Sequence, residues 1–191
     1  MDENQKKAAA MRYDQARPLI STGDLIAVRD SKSWLGRLIQ RVTGNVYTHT
    51  GVAQWMDGQL YMASLNSGYN HLTRVSHLAE FDVFNAPIGL GRDMIDKALD
   101  AWLEKRIEYG YASFVAIGLE CITGRRNLFD NWRSVVVCSG GSVMIYEMAG
   151  ELQMAQNRTV PAAWLRHSRQ LSPGELAGEL LFKLAVREGI A

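Results

Sequence analysis

Tyr47-Thr48-His49-Thr50-Gly51-Val52-Ala53-Gln54-Trp55-Met56-Asp57-Gly58-Gln59-Leu60-Tyr61-Met62-Ala63-Ser64-Leu65 is the stretch on which the fold turns. Tyr47 to Trp55 is rich in Thr, Val and aromatic residues and reads as a strand. Asp57-Gly58 is a hairpin pair, because both positions of such a turn need a positive φ. Gln59 to Leu65 is therefore the returning strand, and Asn66-Ser67-Gly68 turns the chain again. Tyr69 to Phe84 adds one or two further short strands. Upstream, Ser21-Thr22-Gly23-Asp24 is turn chemistry ahead of the apolar strand Leu25-Ile26-Ala27-Val28. Between the two strand regions, Ser33 to Val42 places apolar residues at helical spacing, closed by Thr43-Gly44-Asn45.

Helices flank this middle on the C-terminal side. Asp93 to Ile107 carries Ile95, Ala98, Leu99, Trp102 and Leu103 on one side. Ser113 to Thr123 reads as a second helix, closed by Gly124. The β-branched run Ser134 to Val137 leads into a helix from Cys138 to a glycine cap at Gly150. A last helix is expected over Pro173 to Arg187. The whole is α+β, an antiparallel sheet or small barrel packed against helices. Residues 1–19 form an N-terminal arm or helix, 20–170 the main domain and 171–191 a helical tail.

Composition narrows the function classes. The 191 residues are 47% hydrophobic and 21% charged, ordinary for a globular domain. With 21 basic and 20 acidic residues the net charge is +1, so there is no case for nucleic acid, which demands concentrated positive charge. The two cysteines, Cys121 and Cys138, make no disulfide framework. His49, His71, His77 and His167 lack metal-ligand spacing, and no metal or organic cofactor is expected. The N-terminus lacks the apolar core of a signal peptide, and no apolar run approaches a membrane span. The expected place of synthesis and residence is the cytoplasm, with later incorporation into a larger particle as the other route.

Two residues stand out chemically. At the first turn of a helix, free amides and the dipole favour an anion, which lowers a thiol pKa and activates Cys138 as a nucleophile. The competing reading is a small core hydrophobe, the commoner fate of a free cysteine and the stronger one for Cys121. His49 lies on the strand face shared with Gly51 and Ala53, where small neighbours leave room for a second group. An imidazole there suits a general base, or a structural histidine bonded to a carbonyl. For a group to orient that imidazole, the returning strand offers Ser64, with Asn66 just past its end; neither is a carboxylate. His71, His77 and His167 read as surface histidines.

Taken together, these residues resemble the permuted papain-fold amidases of the YaeF/YiiX type, relatives of NlpC-type cell-wall peptidases. Four motifs carry the resemblance, in order: Gly23-Asp24-Leu25-Ile26; Tyr47-Thr48-His49-Thr50-Gly51-Val52; Tyr109-Gly110-Tyr111; and Val137-Cys138-Ser139 with Ala149-Gly150 downstream. The histidine precedes the cysteine, which is the permuted order. The resemblance implies a papain-like fold and a thiol hydrolase with Cys138 as nucleophile and His49 as base. Its substrate would be an amide or ester, such as a peptidoglycan peptide or a lipid-linked acyl group. Similar proteins occur in phage tail modules, so a structural role in a tail or baseplate, with tail proteins as partners, is the alternative. Two departures are plain. The strand after the histidine carries Ser64 where the family commonly has Glu, and Cys138-Ser139 is followed by Gly140-Gly141 where it has Glu-Leu.

Overall fold

A computed structural model describes residues 13–30, 32–66, 69–78, 80–105, 107, 138–159 and 184–190. At Leu35, Val42, Thr43, Cys138, Ser139 and along 184–190 it describes the backbone alone. The architecture is α+β. The strands are β1 (Leu25–Val28), β2 (His49–Met56), β3 (Gln59–Leu65), β4 (Asn70–Arg74), β5 (Phe81–Phe84) and β6 (Leu184–Ile190). The helices are α1 (Trp34–Thr43), α2 (Arg92–Glu104) and α3 (Cys138–Ala155). The sheet is open and antiparallel, in the order β4-β3-β2-β1-β5-β6, with β4 and β6 at its edges.

Local chemistry explains most element ends. Asp57 and Gly58 take φ of 50° and 71°, as the β2–β3 hairpin requires. The Ser33 side chain caps α1 by accepting from the Gly36 amide at 2.9 Å, and Gly44 ends the helix in the left-handed region. Asn70 takes up the C-terminal end of α2: its side chain donates to the Trp102 carbonyl at 2.6 Å and accepts from the Ile107 amide at 3.1 Å. β1 is buried at every residue because it lies between β2 and β5 with both faces covered.

The register sorts the core into two layers. On one face Leu25, Ala27, Val52, Ala63, Leu65 and Phe84 pack against α2 and α3. On the other, Ile26, Val28, Ala53, Met62, Phe81 and Val83 meet Ala16, Ile20 and Val75. The N-terminal arm thus joins the body, with Tyr13 also packed against this layer. Trp55 Nε1 donates to the Ile20 carbonyl at 2.7 Å, and the Arg17 guanidinium lies 5.0 Å from the Trp55 ring centroid.

Two expectations differ. Of the helix expected over Pro173 to Arg187, residues 173–183 lie outside the described residues, and 184–187 belong instead to the strand Leu184–Ile190, paired with β5. Without β6, β5 would be a short sheet edge with unpaired backbone, and Leu184-Ala-Val-Arg-Glu-Gly-Ile supplies a segment able to pair there. The helix opening at Cys138 runs past Gly150 to Ala155. The Ser113–Thr123 helix and Tyr109-Gly110-Tyr111 lie outside the described residues, as do 1–12 of the arm.

Asp24 is the joint between layers. Fully buried, it accepts from the Ser21 amide at 2.8 Å and the Ala86 amide at 3.0 Å, and its Oδ1 pairs with Arg92 at 2.9 Å. Removing one side of so buried a network leaves the other groups unpaired. Asp24→Ala is expected to destabilise the chain by about 3 kcal/mol or more in urea unfolding. Gly51→Ala is expected to cost about 2 kcal/mol, because a Cβ there would stand 2.7 Å from the Ala63 carbonyl oxygen and 2.9 Å from Ser64 Cβ.

Candidate functional site

Three contacts fix α3 over the sheet. Ser142 Oγ donates to Thr50 Oγ1 at 3.3 Å, and the Tyr146 hydroxyl donates to the Gly23 carbonyl at 3.1 Å. Gly141 lies so close to β3 that a Cβ would stand 3.1 Å from Leu65 Cβ and 3.4 Å from the Trp102 ring. The glycine at that position, costly for helix propensity, is what lets α3 settle on the sheet. Because Gly23 bonds Ala53, the helix advances along β2 in the direction of that strand. Cys138 is its first residue, one turn or about 6 Å ahead of Ser142. It therefore opens α3 at the end of the sheet where β2 begins. The side chain of Cys138 lies outside the described residues, as does Cys121.

His49 is the first residue of β2 and stands opposite Val28. Val28 belongs to the layer facing away from the helices, whereas Thr50, the next residue, meets α3. Strand alternation therefore sets His49 on the face opposite α3, together with Gly51. The register adds Ser64, paired with His71 across β3 and β4, to the same face. The structure thus brings His49, Ser64 and His71 to one face, and carries the Cys138 helix on the other.

His49 is a neutral imidazole at neutral pH. Burial, and then the nearby His71, push its pKa down to about 4. The same burial makes the ring a weaker base than a free imidazole. His71, which reads as a surface residue in the sequence, is half-buried, and its Nε2 lies 3.0 Å from Thr73 Oγ1. What brings it to His49 is the pairing of β4 with β3, a non-local fact that no local motif signals. Ser64 is buried, and its Oγ has no hydrogen-bond partner among the described residues. It shares the face of His49 but does not hold the ring by a hydrogen bond. Asn66 is exposed beyond the end of β3, where its amide bonds the Tyr69 carbonyl.

Two further groups border the helix face at this end. The Tyr47 hydroxyl donates to Asp82 Oδ2 at 2.6 Å, while Arg29 donates to Oδ1 at 2.7 Å. Burial and the Asp82 carboxylate hold the Tyr47 pKa well above that of a free phenol. Its proton is committed to Asp82 and is not free for a developing oxyanion. The Trp102 indole N–H, buried beside Gly141, has no partner among the described residues. No group of three or more His, Cys, Asp or Glu able to hold a metal occurs among the described residues. Nor is any helix among them long and apolar enough to cross a membrane.

No protein-family profile matches the sequence, and no curated protein matches it. Solved structures do. The crystal structure of the metalloprotein YiiX from Escherichia coli O157:H7 matches with a TM-score of 0.57 at 15% identity. The alignment covers 89% of this chain and 98% of that one. At this identity the likeness is one of fold.

A depressed histidine pKa means that protonation favours the unfolded chain. Stability from His49 is full above the unfolded value of about 6.5 and is lost as pH falls towards 4. Urea unfolding of wild type between pH 7 and pH 4 is expected to show a loss on the order of 2 kcal/mol that His49→Gln lacks.

Proposed function

We propose that this chain is a thiol hydrolase of the permuted papain-like, NlpC-related kind, cleaving an amide or ester in an acyl substrate such as a peptidoglycan peptide. The observation that carries the reading is Cys138 opening the 18-residue helix α3 at the end of the sheet where β2 starts with His49. The YiiX-like fold and the order of the histidine and cysteine segments support it.

In this mechanism His49 takes the thiol proton of Cys138. The thiolate attacks the carbonyl carbon, forming a C–S bond, and amides in the first turn of α3 receive the oxyanion. The intermediate collapses as His49 hands its proton to the departing amine or alcohol. Water, deprotonated by His49, then cleaves the thioester and frees the acid. The imidazole must reach the first turn of α3 around the end of the sheet for this to occur. YiiX is described as a metalloprotein. The described residues here offer no group of three ligands, and no step of this mechanism uses a metal.

A second reading keeps the fold as a binding module, for example in a phage tail or baseplate, with little or no turnover. The register that sets His49 on the face away from α3 favours it.

Alkylation of Cys138 followed against pH, with Cys121→Ser as background, separates the two. The hydrolase reading expects a thiol pKa well below the free value of about 8.5 and a rate at pH 7 that falls tenfold or more in His49→Ala. A slow thiol with an ordinary pKa, indifferent to His49, would leave the binding module.

A further inference from the structure

Helix α1 stands apart from the rest of the fold. Among the described residues it packs broadly against no other strand or helix, and it is held at its base by a cap. Asp30 accepts from the Lys32 and Ser33 amides and from Ser33 Oγ, and Ser33 in turn caps the helix. Gly36 marks the side turned inward, because a Cβ there would run into the Asp30 carbonyl. Away from that side, Trp34 is 71% exposed and Leu38, one turn on, 44% exposed; Val46, just past the helix, is 55% exposed. Large apolar side chains this open, gathered on one short helix and its exit, call for something to cover them.

Charge points to what covers them. Lys32, Arg37 and Arg41 accompany this ridge, and Arg37 and Arg41 are exposed one turn apart. No Asp or Glu occurs between Asp30 and Asp57, and the Asp30 carboxylate is taken up by the cap. At 100° per residue Trp34 and Leu38 lie side by side, with Arg41 and Arg37 on one flank of them. Trp beside an aliphatic residue, bordered by cations and free of acids, matches the interface of an anionic bilayer. Ten residues are far too few to span a membrane, but enough to lie in its surface.

We propose that α1 and its exit loop form an interfacial anchor that docks the chain on an anionic lipid surface, with Trp34, Leu38 and Val46 inserted at headgroup depth and Lys32, Arg37 and Arg41 on the lipid phosphates. Since α1 links the end of β1 to the start of β2, docking brings the end of the sheet where α3 begins close to the membrane. The proposal does not depend on the activity of Cys138.

The test uses the full chain and vesicles of phosphatidylcholine, with and without phosphatidylglycerol, read by co-sedimentation. Binding is expected to the anionic vesicles alone and to weaken as salt rises. Trp34→Ala with Leu38→Ala is expected to lower the partition about tenfold or more. Arg37→Gln with Arg41→Gln is expected to lower it roughly thirtyfold. Both pairs lie on the surface, so their urea midpoints should match wild type, separating loss of docking from loss of fold. Three results would each overturn the proposal. One is no binding to anionic vesicles, and another is equal binding to neutral ones. The third is lipid-free self-association that Trp34→Ala with Leu38→Ala abolishes, which would make the ridge a contact between two copies.

Discussion

The structure depends on a buried carboxylate. Asp24 sits at the entrance to the central strand, where the turn before β1, the exit from β5 and the start of α2 converge. An ionised side chain in such a place is tolerable only when its lone pairs are filled, and two backbone amides and Arg92 fill them. The neighbouring Gly23, at φ 94°, turns its carbonyl to the Tyr146 hydroxyl and its amide to Ala53. One dipeptide thereby fixes α2 and α3 over the sheet. The distance from that anchor to Ser142 sets where α3 starts, and hence where Cys138 lies.

The sheet then divides the chemistry. α3 covers the face of Thr50 and Leu65, and Gly141 lies against Leu65. The face of His49, Ser64 and His71 is a separate polar patch within an otherwise apolar layer. Burial keeps His49 uncharged and by the same desolvation makes it a weaker base than a free imidazole. With the Cys138 helix on one face and the imidazole on the other, the two residues can cooperate only at the sheet's end, and both stand at that end.

Much of this was legible in the chain because the signals are local. Asp57-Gly58 demands a hairpin, and the β3 bounds follow from it. Alternation alone groups His49 with Gly51, and the register adds Ser64 to the same face. What local pattern does not contain is which face a distant helix will cover. Nor does it contain the pairing of β4 that brings His71 to Ser64. The strand at 184–190 escaped for a related reason: its residues suit a helix or a strand, and the open edge of β5 decides. Gly140-Gly141, read as a departure from a family pattern, has a packing reason at Gly141 that only the contact with Leu65 reveals.

The claim at the centre is that Cys138 forms a covalent acyl intermediate with the help of His49. The direct measurement is peptide mapping by mass spectrometry after brief exposure of the native chain to an activated acyl ester. The account predicts the acyl mass on the peptide containing Cys138, with Cys121 unmodified, and its loss in His49→Ala. Acylation absent from Cys138, or equal on both cysteines and unchanged by His49→Ala, would contradict it.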